Sequence, residues 1–262
     1  MTEQVSSATL PYDYDDVLDT VLDIGCRLLE AGAEVRRVED TVERLCFAYG
    51  AHSVDVFSIV VLVGVTVEGP NGAHYTQIRK VGSIGNSLVR IEKLNALSRR
   101  LCACPESPGT VKAEVKRICT KKTYSDVLML LSAAIAAGGF AMFFGGGWVD
   151  GLIAGGIGVL IMVLTLYTPT KANTTLKTFA TAFLAGATAL IACALVPSGS
   201  PDKIMIGTIM LMIPGLALGT SLRDLFGGDM VSGLLRFVQA LFTAALIAAG
   251  YGLAWLTLGG IV

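Results

Sequence analysis

The sequence predicts an α+β cytoplasmic domain followed by an all-α membrane domain of five transmembrane helices. Three observations carry that expectation. Residues 1–122 hold 15 Lys+Arg and 16 Asp+Glu, whereas residues 123–262 hold 5 and 5. The first part therefore has the roughly one-quarter charged content of a soluble domain, and the second, at about 7%, falls far below it. The second part breaks into five apolar segments, each long enough to cross a bilayer core at about 1.5 Å per residue. A valine-rich stretch inside the first part reads as strand rather than helix. The whole-chain figures, 53% hydrophobic, 16% charged and a mean hydropathy of +0.66, average over these unlike parts. They exclude an ordinary soluble enzyme and a disordered chain. A net charge of −1 gives no field to attract nucleic acid, so no nucleic-acid partner is expected.

The N-terminal stretch MTEQVSSATLPYDYDD has neither a basic nor an apolar signal-peptide region. Val17, Leu18, Val21, Leu22, Leu28 and Leu29 fall at helical spacing, and Gly32 can end that helix. Val35, Val38, Val42, Leu45 and Tyr49 mark a second helix ending at Gly50. The stretch SVDVFSIVVLVGVTVEG is β-branched, a Gly-Pro-Asn-Gly turn occupies 69–72, and residues 74–81 return as a strand, giving at least a hairpin. Asn86 is placed to cap a third helix with Leu88, Ile91, Leu94 and Leu97 inward. A fourth helix runs from about Thr110 toward the membrane. The expected domains are 1–122 and 123–262, with spans at about 126–146, 149–167, 179–196, 204–220 and 237–258.

Loop charges orient the spans. The basic stretch VKAEVKRICTKK, then Lys171 and Lys177, then Arg223 and Arg236 share one side if the spans alternate, and the other side has only Lys203. The positive-inside rule puts the N-terminal domain in the cytoplasm and the C-terminus outside a cell inner membrane. The cytoplasmic cysteines are then expected to be reduced. Cys102 and Cys104 lack a second pair or histidines at ligand spacing, so no metal and no cofactor is expected.

Three features of the membrane half have two readings each. Gly151 and Gly155 form a small-xxx-small pattern, for packing within the chain or for docking another subunit. Pro214-Gly215 interrupts the fourth span, either as a plain kink or as a break that opens backbone groups to a substrate. The segment SLRDLFGGDMVSGLLR places Arg223, Asp224, Asp229 and Arg236 beside hydrocarbon. It is either an interfacial loop or a site where a carboxylate takes a proton and an arginine meets an anion. Arg223 with Asp224, and Asp229 with Arg236, are the candidate internal pairs. In the first half a polar cluster runs from Gly32 to Asp40. Asp40 and Arg44 stand one helical turn apart, and Arg37 and Glu39 are its candidate functional residues. Asp55 and Arg79, on the predicted strands, are placed to meet it. No G-x-S-x-G, P-loop, G-x-G-x-x-G or H-E-x-x-H motif occurs.

The run LLEAGAEVRRVEDTVERLCFAYG, then VDVF, IRKV and LNALSRR, resembles the cytoplasmic domain of the threonine/serine exporter family. The segment IPGLALGTSLRDLFGGDMVSGLLR is similar to that family's membrane signature, with Pro214, Gly215, Arg223, Asp224, Gly228, Asp229, Gly233 and Arg236 in order. The resemblance implies a secondary transporter rather than an enzyme. Fused members carry ten spans. A chain with five resembles the larger subunit of the split form, whose small partner supplies the rest and leaves room for an oligomer. The fused form implies threonine and serine export, and the split form a small dicarboxylate such as succinate. A proton gradient is the expected drive. Pro214, Gly215, Arg223, Asp224, Asp229 and Arg236 are the expected substrate and coupling residues. The rival readings are a membrane-tethered hydrolase-like enzyme, or a ligand sensor, with its site at Arg37, Glu39, Asp55 and Arg79.

Overall fold

The computed structural model describes residues 13–69, 72–168 and 173–261. The N-terminal stretch, the centre of the 69–72 turn and Lys171 lie outside the described residues. The described elements form two compact units. One joins the first 121 residues to 216–237, and the other joins 122–215 to 238–262.

In the first unit, α1 (Tyr14–Glu30) follows an Asp13 N-cap whose carboxylate accepts from the Asp15 N–H at 3.2 Å. Its apolar stripe is almost completely buried. Gly32 ends it with φ of 91°, in the left-handed region that glycine tolerates. A Cβ there would also meet the Gly85 carbonyl oxygen at 2.8 Å, so both conformation and space require glycine. Helix α2 (Val35–Ala48) buries Val35, Val38, Val42 and Leu45.

The valine-rich stretch is two strands rather than one. β1 (Ser53–Ile59) and β2 (Leu62–Glu68) pair antiparallel across Val60-Val61, and β3 (His74–Lys80) completes the order β1-β2-β3. No described non-glycine residue has positive φ. The Val60-Val61 turn thus lacks the Asn-Gly chemistry that marks a tight hairpin in sequence, which explains why the stretch reads as continuous. Val63, Val65 and Val67 form the inner face of β2 and pack into the core with α1 and α2. Helix α3 (Leu88–Ala103) is capped by Ser87, whose hydroxyl accepts from the Arg90 N–H at 3.4 Å, one residue after the expected Asn86. Leu88 is exposed, and Leu94, Leu97 and Leu101 fill the core instead. Helix α4 (Pro108–Thr120) starts two residues early because Pro108 suits a first turn.

The second unit contains α5 (Asp126–Phe143), α6 (Trp148–Tyr167), α7 (Thr174–Leu195) and α8 (Pro201–Met212). Helices α9 (Gly215–Gly227) and α10 (Met230–Leu258) follow, and the second unit takes α10 from Val238. Among the described residues four helices are long and apolar enough to cross a membrane, and α8 with α9 makes a fifth candidate bent by 52°. The bend falls at Pro214, whose missing N–H leaves the Met210 carbonyl without its i+4 donor. This unit is held by small residues. A Cβ on Gly158 would lie 2.6 Å from the Ala133 carbonyl oxygen, and one on Gly155 would lie 3.2 Å from that of Ala134. The Gly151 and Gly155 face therefore packs within the chain, against α5. Asp150, 3% exposed, accepts from the Gly147 N–H at 2.8 Å and the Ser200 N–H at 2.7 Å.

Two outcomes follow. Gly158→Val should destabilise the detergent-solubilised protein by about 1–3 kcal/mol, read as a lowered melting temperature, because a backbone oxygen cannot move aside. Burial pushes the Cys26 thiol up to about 11 and the Cys46 thiol up to about 12. At neutral pH a maleimide should therefore label exposed Cys102 and Cys104 and spare Cys26 and Cys46, as read by mass spectrometry.

Candidate functional site

Helix α2 begins with an unmet need. Its N-cap, Glu34, makes no side-chain cap bond, so the first N–H groups of the helix require an acceptor from elsewhere. Asp224, on α9 and 2% exposed, supplies one: its Oδ1 accepts from the Val35 N–H at 3.4 Å. Its Oδ2 lies 3.3 Å from Arg236 Nη1, and Arg236 is only 4% exposed. Arg236 Nη2 donates to the Ala33 carbonyl oxygen at 2.7 Å. At the same contact Arg36 Nη1 donates to the Gly227 carbonyl oxygen at 2.8 Å, and Arg223 pairs with Glu34. Residues 33–36 and 223–236 thus interlock within one unit, through paired charges and backbone groups.

The internal pairs expected from sequence are exchanged for others. Arg223 pairs with Glu34 rather than Asp224, and Arg236 pairs with Asp224 rather than Asp229. Asp229 precedes α10, and its N–H donates to the Asp224 carbonyl oxygen at 2.9 Å. Its Oδ2 is buried without a hydrogen-bond partner, as are Asp224 Oδ2 and the Nε and Nη1 of Arg236, which meet through charge alone. The fifth apolar helix starts at Met230 rather than about 237 and so takes Arg236 into its first turns, because the guanidinium finds partners there. Gly233 permits the turn between α9 and α10, since a Cβ would lie 2.9 Å from the Ser221 carbonyl oxygen.

The other expected site residues separate. Arg37 reaches the edge of the contact, with Nε 3.5 Å from Glu34 Oε2. Glu39 turns to the sheet, where its Oε1 accepts from the Ser58 N–H at 2.8 Å and the Ser58 hydroxyl at 3.1 Å. Asp55 is exposed on β1. Arg79 pairs with Asp19 and Asp23 on α1, not with the 32–40 cluster. Pro214 and Gly215 mark the break and group with the second unit. Asp40 and Arg44 form the expected pair at 2.8 Å. Sequence reasoning passed over Glu34 and Arg36 as individual residues, although a carboxylate just before a helix was a signal. Nothing in sequence singles out the Ala33 carbonyl. Beside the contact lies a recess of about 150 Å³, lined in part by Glu34, Arg37, Asn95, Thr220 and Arg223.

The family model described as "Putative threonine/serine exporter" matches residues 19–258. The chain belongs to the threonine/serine exporter family. It is also similar to the "Threonine/serine exporter" of Corynebacterium glutamicum, at 25% identity over 249 residues. That alignment takes in 90% of this chain and 50% of the relative, so the chain spans about half the relative's length. No solved structure matches the chain. The family is one of membrane exporters rather than enzymes, and with the apolar helices it makes the chain a multi-pass membrane protein. The match spans both the 33–36 segment and the 223–236 segment.

The two ion pairs at the contact should differ sharply in weight. Arg236→Ala leaves Asp224 buried and uncompensated, and should cost about 3–5 kcal/mol. Arg223→Ala removes a solvent-screened pair whose arginine is 67% exposed, and should cost far less. Urea unfolding of the two variants in detergent checks the difference.

Proposed function

We propose that this chain is the larger component of a proton-driven secondary exporter of small carboxylate metabolites in the inner membrane. A second, small membrane subunit supplies further helices. The observation that carries the reading is the buried Arg236–Asp224 pair closed onto the Ala33 carbonyl. A charge pair is buried only at substantial cost, which a role in binding or coupling explains.

The roles follow from charge and surroundings. Arg236 or Arg223 meets the substrate carboxylate. Asp224 or Asp229 carries the proton: the Oδ2 of each is buried without a hydrogen bond, but Asp224 is held in an ion pair with Arg236 whereas Asp229 has no cationic partner among the described residues, which favours Asp229. A buried carboxylate oxygen without a donor is costly unless a proton or water satisfies it. The break at Pro214-Gly215 opens backbone carbonyls to the transport path. The grouping of residues 216–237 with the first 121 residues supports one side for both, with the N-terminal unit cytoplasmic and the C-terminus outside.

The recess supports an amino acid of threonine or serine size as cargo. A volume of about 150 Å³ is enough to hold a small ligand such as benzene. Arg223 or Arg37 would take the carboxylate and Glu34 the ammonium.

Efflux from proteoliposomes holding the full chain and its partner subunit, loaded with labelled threonine, tests the reading. Acid outside the vesicles should accelerate efflux, since protons then enter as substrate leaves, and Asp229→Asn should reduce that acceleration about tenfold or more. Unchanged efflux in Asp229→Asn takes Asp229 out of the mechanism. Export of succinate in preference to threonine overturns the assignment of cargo, and no gradient response at all overturns proton coupling.

A further inference from the structure

Away from that contact, a cleft of about 620 Å³ opens in the first unit among α1, β3, α3 and α4. Its volume lies within the range of small-molecule sites. Three carboxylates line it, and each is already engaged. Asp19 accepts Lys112 Nζ at 2.8 Å and pairs with Arg79. Asp23 lies 3.3 Å from Arg27 Nε and 3.8 Å from Arg79 Nη1. Glu30 accepts from Arg27 Nη1 at 2.9 Å and from the Gly82 N–H at 3.1 Å. The wall also carries Arg90 from α3 and Lys116 from α4. Among the described residues neither has an acidic partner.

The three carboxylates balance Arg27, Arg79 and Lys112 and hold them in place, and the Lys112 hydrogen bond keeps the Asp19 carboxyl below its ordinary range. Arg90 and Lys116 are then the surplus, two exposed positive charges from two helices lining one open cleft. The surrounding field has the same sign: residues 88–122 hold nine Lys/Arg and three Asp/Glu. Such a field concentrates anions at a cleft.

We propose that this cleft is a cytoplasmic binding site for a small dianion, a phosphorylated or dicarboxylate metabolite, with Arg90 and Lys116 as its recognition pair. The guanidinium offers a bidentate face to phosphate or carboxylate, and the ammonium a mobile point charge. Cys119, which also lines the cleft, gives a reporter on its occupancy. The same two charges can sit on a lipid headgroup, and the test separates that source from a free metabolite.

The full chain in neutral detergent is titrated calorimetrically with inorganic pyrophosphate, and separately with succinate, at constant ionic strength. One saturable site is expected for at least one of the two probes. Arg90→Gln with Lys116→Gln should weaken it by about tenfold or more. Arg99→Gln, outside the cleft, should leave it unchanged. In the unsubstituted protein the bound probe should also slow maleimide labelling of Cys119 and leave that of exposed Cys104 unaltered, so the proposal does not depend on a variant folding. Equal binding by the double variant overturns the proposal. So does labelling of Cys119 that neither probe slows, or binding confined to vesicles of phosphatidylglycerol with none to either soluble probe.

Discussion

A guanidinium that is 4% exposed needs compensation where it lies, and Arg236 finds it in one ion pair and one hydrogen bond, with Nε and Nη1 left without hydrogen bonds. One partner is a carboxylate on the preceding helix and the other is a backbone oxygen nearly the whole chain away. The consequences propagate. Helix α10 begins early enough to include Arg236, and Gly233 gives up a side chain so that the helix can turn back past Ser221. Asp224, drawn inward by the same pair, completes the start of α2, which its own N-cap leaves open. A single buried charge thus fixes where two helices begin and how they meet.

The two units cohere by different means. The first has a core of branched and aliphatic side chains from four helices and one face of a sheet, and the loss of apolar area from water drives it. The second draws little from that effect, because lipid is as apolar as leucine. It gains from close approach, so glycine and alanine occupy the faces where α5 meets α6. Asp150 is its main polar tie, with two backbone N–H groups meeting a buried carboxylate. That residue drew no notice in sequence, since an acidic side chain in the first turn of a helix looks like ordinary complement to the helix dipole.

Regular periodicity makes α1, α2 and the glycines that end them legible in the sequence, and apolar length does so for α5, α6 and α7, but not for the break between α8 and α9 or the early start of α10. Periodicity failed where a residue's role depended on a partner distant in sequence. The Val60-Val61 turn has no turn chemistry of its own and is imposed by strand pairing. The four charges of the 223–236 segment stood out, but their partners did not. Local spacing pointed to Asp229 for Arg236, and the Ala33 carbonyl and Asp224 hold it instead. Glu39 looked functional beside Arg37, yet it anchors α2 to β1 through Ser58. Arg79 looked like a partner for the 32–40 cluster, but α1 faces β3 with acidic residues closer to hand.

The contact that joins Ala33 to Arg236 spans 203 residues of chain, and that of Val35 with Asp224 spans 189. In sequence, four helices of the second unit, α5 to α8, separate the two parts of the first. During synthesis the opening of α2 therefore waits, with a carbonyl and an amide unclaimed, until residues 224–236 have been made. Closure of so long a loop is slow and entropically costly, and it comes late. The interlock thus belongs to the last stage of folding in the first unit, since one of its two strips is made only after α8.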